Sequence, residues 1–393
     1  MATLIQNDDV WLLWTVILAG VAASIWLEQT FNWAARVSGP VLALCIAMIL
    51  ANARIMPPRS SVYDIVQDDL VPLALPLLLF RANVFHIVRQ TGWLFVAFHL
   101  ASAGTVIGAL TAAAVLKGSV SDVPQIAAIM TGSYIGGGVN FFAVARSYKI
   151  SENVTGPLLV ADNFIMAGVF MALLLICRSR WARRWYPHPH TAHAVDSRQL
   201  AAEHWRRKEI SLFDIAAALA VAVAIVACSH ATSRMLRESL GETPLAQVAG
   251  NLFVHITAWS TLAATLGHRQ LAKIHGAEEF GGYLLYVFLF VIGLPADLWE
   301  VFAKVPLMFV FCLIMAVANI AVTFLIGRLL RINLEDLVLA VNASIGGPPT
   351  AAAMAVSLGW SKLVLPGLLV GIWGYTIGTA VGLAVGELLL RWL

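Results

Sequence analysis

The sequence predicts an all-α membrane protein of about 10–12 transmembrane helices, built as two structural repeats that each contain one broken helix. Three observations carry this: the composition, the recurrence of long apolar runs, and an internal duplication. Of the 393 residues, 60% are hydrophobic and 12% charged, against about 25% charged in a soluble domain. Apolar runs of about 18 residues or more recur along the whole chain, each long enough to cross a bilayer as a helix. The net charge of +3 is small, and the basic residues gather in loops, as membrane orientation requires. Nucleic acid is therefore not an expected partner.

The runs fall at 10–27, 37–56, 68–87, 92–116, 124–146 and 154–176, then at 211–231, 246–267, 280–298, 304–328, 335–356 and 363–390. No Lys or Arg precedes Val10, so the first run reads as a retained span and not a cleaved leader. The most hydrophilic stretch, 178–210, holds eight Lys/Arg and is expected in the cytoplasm. Domain organisation is accordingly 1–176 as a first transmembrane repeat, 177–210 as a basic cytoplasmic linker, and 211–393 as a second repeat. His188, His190 and His193 in the linker could bind a metal, but a Pro-broken solvated segment accounts for them as well. Cys45, Cys177, Cys228 and Cys312 lie in or beside apolar runs without CxxC spacing and read as small packing residues.

The duplication is direct. At a fixed offset of 210, residues 133–171 align with 343–381 without a gap, and twelve of the 39 pairs are identical, including Ile135/Ile345, Gly136/Gly346, Gly137/Gly347 and Gly168/Gly378. The run ending Phe80-Arg81-Ala82-Asn83 resembles the one ending Leu294-Pro295-Ala296-Asp297. Gly136-Gly137-Gly138 and Gly346-Gly347-Pro348-Pro349 sit near the middle of their runs. Glycine loosens a helix and proline lacks the donor, so each cluster predicts a break. Backbone freed in hydrocarbon is tolerated only where it is buried in protein or lines a polar cavity. Half-helix ends there offer N–H groups to an anion and carbonyls to a cation.

The intramembrane polar residues gather around these clusters. Asp162 lies eight residues into its run, about 12 Å deep at 1.5 Å per residue. A carboxylate there needs a partner, a cavity, a cation or a proton. Asp162, with Asn163, is the predicted ion-coupling site. Asn140 and Thr350 are matched positions just after the clusters, while Thr131, Ser133, Asn342 and Ser344 precede them. Their oxygens suit a hard cation, so a bound Na⁺ is possible chemistry here; no other cofactor and no structural metal is expected. Arg81 and Asp297, near the ends of related runs, could pair or line a vestibule. His99, His255 and Asn319 are intramembrane polar groups whose direction the sequence leaves open. Walker, HExxH and GxSxG motifs are absent, so no enzyme is expected.

SYIGGGVNFFAVA in the first half, and VNASIGGPPTAAAMA followed by PGLLVGIWGYTIGT in the second, resemble an uncharacterised integral-membrane family, domain of unknown function 819. The similarity to that family covers nearly the whole chain, and the family in turn looks related to the larger group of cation:proton antiporters and anion transporters that includes the bile acid:sodium symporters. The resemblance implies inverted repeats, a panel domain and a core domain, two broken helices crossing at the midplane, and elevator-like alternating access. It also sets Asp162-Asn163 where antiporters of the group carry an Asp-Asp or Asn-Asp pair, here in reversed order. The matched second-half positions, Ile372 and Trp373, supply no basic partner, which counts against inorganic-cation antiport. Six spans per half would make the repeats parallel; inversion needs an odd number, as when 68–87 and 280–298 do not cross fully. The expected function is Na⁺- or H⁺-coupled secondary transport of a small solute, an organic anion or amphiphile, in a bacterial inner membrane. A Na⁺/H⁺-type antiporter and a non-transporting sensor or scaffold acting through the linker are the alternatives. A homodimer through the panel is expected by analogy alone.

Overall fold

The computed structural model of the chain describes residues 3–31, 34, 39–189, 209–241, 243–294 and 298–393. The described residues are helical throughout, without strands. The first half contains α1 (Val10–Thr30), α2 (Gly39–Asn52), α3 (Ser61–Ile65), a π turn leading into α4 (Val71–Leu79), α5 (Val84–Thr91), α6 (Trp93–Leu116), α7 (Val123–Tyr148) and α8 (Glu152–Arg178). A short α9 (Arg180–Trp185) opens the linker. The second half contains α10 (Leu212–Leu240), α11 (Pro244–Ala249), α12 (Leu252–Leu266), α13 (His268–Leu271), α14 (Ala277–Gly293), α15 (Leu298–Leu329), α16 (Leu334–Ser357) and α17 (Val364–Trp392).

Among the described residues seven helices are long and apolar enough to cross a membrane, or eight if Ser61–Leu79 and Val84–Thr91 count as one span bent by 52°. This is fewer than the apolar runs suggested, and some of the differences have a local cause. Within the 37–56 run the described residues form the helix Gly39–Asn52. Gly250 and Asn251 divide the 246–267 run, and the Asn251 side chain accepts from the Phe253 N–H to start α12 afresh. Between α4 and α5 the Asn83 side chain caps the His86 N–H, and the Val84 N–H donates to Thr265 Oγ1 at 3.2 Å.

Packing is organised by corresponding elements. α6 lies against α15, α4 against α14, and α7 against α16, while α17 runs along α7 and α8 along α15. Close approach depends on small residues, as is usual between helices in lipid: a Cβ on Gly104 would lie 2.7 Å from Asn319 Cα. Two apolar clusters result. The larger joins α6, α7, α8, α15, α16 and α17 with α1, α2 and α14. The smaller joins α4, α10, α12 and α14 to Leu369 and Ile372 of α17. Tyr375 and Trp373 pack against both, which puts this stretch of α17 on the seam between them.

Candidate functional site

The site is built where α7 and α16 depart from helical geometry. Gly137 has φ 67° and ψ −171°, and Gly347 has φ 78° and ψ −174°. That region of backbone space is essentially closed to residues with a Cβ. The two positions are counterparts in the duplication and they meet in space: a Cβ on Gly137 would lie 3.6 Å from Gly347 Cα. The Tyr375 ring covers both, its Cε1 atom 3.4 Å from a Cβ built on Gly137 and 3.6 Å from one on Gly347. Gly371 allows α17 to approach closely, since a Cβ there would sit 2.7 Å from Pro348 Cα.

Backbone carbonyls released at these points find side-chain partners. Asn140 Nδ2 donates to the Gly136 carbonyl at 2.9 Å and to the Gly374 carbonyl at 3.4 Å, while Asn140 Oδ1 accepts from Thr379 Oγ1 at 2.6 Å. In the second half Thr350 Oγ1 donates to the Gly347 carbonyl at 3.0 Å, and Asn342 Nδ2 to the Thr350 carbonyl at 2.7 Å. Asn140, Asn342 and Thr350 thus hold the interrupted backbone. Gly138 and Gly346 keep helical geometry beside the two interruptions.

Asp162, on α8, is 7% exposed. Ser133 Oγ donates to its Oδ2 at 2.8 Å, and the Tyr134 phenol and Cys312 thiol lie within electrostatic reach of the same carboxyl. Thr131 Oγ1 is buried without a hydrogen-bond partner, and Asp162 Oδ1 and Tyr134 OH have none in good bonding geometry, although the phenol interacts with the Asp162 carboxyl and the Cys312 thiol. Unsatisfied buried oxygens of this kind are costly, and carboxylate and hydroxyl oxygens are what a hard cation or a proton takes up. Asn163 does not join the group: its Nδ2 donates to the Leu159 carbonyl of its own helix at 2.8 Å. Ser344 belongs to a separate buried network, in which Asn319 Nδ2 donates to Thr105 Oγ1 at 2.9 Å and to Ser344 Oγ at 3.0 Å, and Thr105 Oγ1 donates to the Tyr134 carbonyl at 3.1 Å.

Where repeat symmetry pairs Asn163 with Trp373, the indole serves a different purpose. Trp373 Nε1 donates to His99 Nε2 at 3.2 Å, and His99 Nδ1 meets the Phe95 carbonyl at 2.8 Å. A carbonyl can only accept, so Nδ1 carries the proton and Nε2 is the acceptor. Phe95, His99 and Trp373 form a cluster of rings 4.5 to 6.2 Å apart. His255 turns into its own packing layer, against the Ala249 carbonyl at 2.8 Å and Thr232 Oγ1 at 2.9 Å.

Other sequence expectations resolve differently. Arg81 approaches Glu278 at 3.7 Å, both side chains at least half exposed; Asp297 lies outside the described residues. Among the described residues no cluster of three or more metal-ligating side chains occurs; His190 and His193 lie outside them, as does 190–208 of the linker. All four cysteines are free. Sequence reasoning missed Tyr375, Thr379, Tyr134 and Cys312. Proximity across distant helices alone marks Tyr375, Thr379 and Cys312, whereas Tyr134 lies beside Ser133 in the SYIGGG motif.

A bundle of apolar helices, two of them carrying a non-helical glycine where they meet, defines a polytopic helical membrane protein with a buried polar centre. Comparison with known proteins gives the family. The family model described as "Protein of unknown function (DUF819)" matches residues 15–392, and the chain belongs to that family. It is 41% identical over 390 residues, 98% of each chain, to the "Uncharacterized membrane protein YjcL" of Bacillus subtilis (strain 168).

Proposed function

We propose that the chain is an ion-coupled secondary transporter of a small organic anion or amphiphile, with Asp162 as the Na⁺- or H⁺-binding residue. The observation that carries this reading is the meeting of the two duplicated interruptions at Gly137 and Gly347. Matched interruptions of this kind, deep in the membrane, are the hallmark of a transporter binding site. On this reading 1–176 and 211–393 are inverted repeats joined by a cytoplasmic linker in a bacterial inner membrane, related to the cation:proton antiporter and anion transporter group. Each half contributes five crossings, the bent α4–α5 segment in the first and its counterpart α14 in the second being the ones that do not cross fully. Helices α6–α8 and α15–α17 form the moving core, and α4, α10, α12 and α14 belong to the panel. The solute enters the seam between them, against Tyr375, Trp373 and His99, and the core carries it across. Ser133 orients the Asp162 carboxyl, and the orphaned oxygens of Asp162 and Thr131 take the coupling ion.

Thermal stability of the purified protein in Na⁺, Li⁺ and K⁺ at two pH values, for wild type and Asp162→Asn, tests the ion site. Stabilisation by Na⁺, or a pH-dependent shift, that disappears in the variant supports the assignment. A variant matching wild type under every condition would return Asp162 to a structural role.

A further inference from the structure

The structure carries a second polar feature, at the membrane face where α8 and α15 both end. Six arginines converge there: Arg178, Arg180, Arg183 and Arg184 from the end of α8 and from α9, and Arg328 and Arg331 from the end of α15. All six are exposed, and none forms an ion pair among the described residues. The two segments are tied together, because Tyr186 Oη donates to the Phe324 carbonyl at 2.9 Å and the Leu334 N–H donates to the Pro187 carbonyl at 2.8 Å.

Two of the guanidiniums are held in place without consuming their hydrogen-bonding ends. Arg328 stacks on the Trp185 ring, its Cζ 3.4 Å from the ring centroid. Stacking uses the face of the guanidinium and leaves the N–H groups on its edge. Arg183 donates through Nε to the Cys177 carbonyl at 2.9 Å, which leaves its two terminal nitrogens for another acceptor. Concentrated, pre-oriented guanidiniums match phosphate oxygens. An indole at a span end sits at headgroup depth.

We propose that this face is a binding site for an anionic phospholipid, with Arg183 and Arg328 gripping the headgroup phosphate and Trp185 beside its glycerol region. The shared chemistry is a phosphate ester monoanion, and its position at the end of two spans makes the bilayer the source. Basic pockets next to transmembrane helices hold anionic headgroups in this manner. The proposal is independent of the transport reading, since it concerns neither Asp162 nor the helix interruptions.

The test is binding of phosphatidylglycerol to the full chain purified in a neutral detergent, read both as retained lipid by native mass spectrometry and as a thermal shift. Phosphatidylcholine and inorganic phosphate serve as comparison ligands. The expected result is affinity for phosphatidylglycerol about tenfold or more above phosphatidylcholine, lost in the double variant R183Q/R328Q. It should be kept in R269Q/K273Q, which removes two exposed cations elsewhere. Equal binding of both lipids by wild type overturns the site, and needs no variant to fold. Equal loss in both double variants overturns it too, since it would mean diffuse attraction. An equal response to inorganic phosphate overturns the lipid assignment.

Discussion

Replacing Gly137 by alanine isolates the feature on which the site depends. The space around it is adequate: the atom nearest a new Cβ is Tyr375 Cε1 at 3.4 Å, an ordinary contact. The cost is conformational, because φ 67° with ψ −171° is a region that a residue with a Cβ avoids, at about 1–3 kcal/mol. Alanine recovers up to about 1 kcal/mol through lower chain entropy when unfolded. The net expectation is a loss of about 1–2 kcal/mol, equivalent for a chain of 393 residues to a fall of about 1–2.5 °C in the apparent Tm. Gly138→Ala is the matched control. Gly138 lacks a positive φ, and a Cβ there meets only Phe142, at 3.8 Å, so the change should be neutral or slightly stabilising. Unfolding followed by tryptophan fluorescence in detergent reads both. Because the interruptions touch, G137A/G347A should depart from additivity. Equal stability of G137A and G138A would refute the argument that the interruption at Gly137 is enforced by its backbone conformation.

Three further outcomes follow from named contacts. Asn319→Leu strips the donor shared by Thr105 and Ser344 and should cost about 1–3 kcal/mol, read as a lower unfolding midpoint; an unchanged midpoint would mean that this network does not tie α6, α15 and α16 together. Thr379→Val leaves Asn140 Oδ1 without its 2.6 Å donor and should cost about 1–2 kcal/mol, with a weaker ion response in the same assay because Asn140 braces the Gly136 carbonyl. Trp373→Phe keeps the ring but removes the N–H that His99 accepts. Its stability should change by no more than about 1 kcal/mol, whereas half-saturation for a transported solute should shift several-fold; an unchanged value would move the solute site away from the seam.

The two non-helical glycines, Gly137 and Gly347, fall inside IGGG and IGGPP, positions legible because glycine and proline act locally and matched in pairs by the offset of 210. The membrane class was legible for the same reason, since hydropathy needs no knowledge of neighbours. What the sequence could not supply is long-range. Tyr375 stands in an apolar run with Ile165 as its repeat counterpart, and only the fold brings its ring over Gly137 and Gly347. Asn163 and Asp162 are adjacent in sequence, yet one bonds its own helix and the other faces Ser133, a difference set by helix rotation. Arg81 meets Glu278 because α4 packs on α14, which run spacing does not reveal. Runs of adequate length also became shorter helices where Asn83 or Asn251 offered a better cap than a continuing turn.

The central claim is most directly tested by charge movement. The protein would be reconstituted in liposomes on a solid-supported membrane and challenged with pools of small organic carboxylates, at fixed Na⁺ and at stepped pH. The account predicts a transient current for at least one pool, dependent on Na⁺ or on pH in wild type and absent in Asp162→Asn reconstituted to the same density. A current that persists unchanged in Asp162→Asn would contradict ion coupling at that carboxyl. Wild-type protein without any solute- or ion-evoked current across these pools would contradict the transporter reading itself.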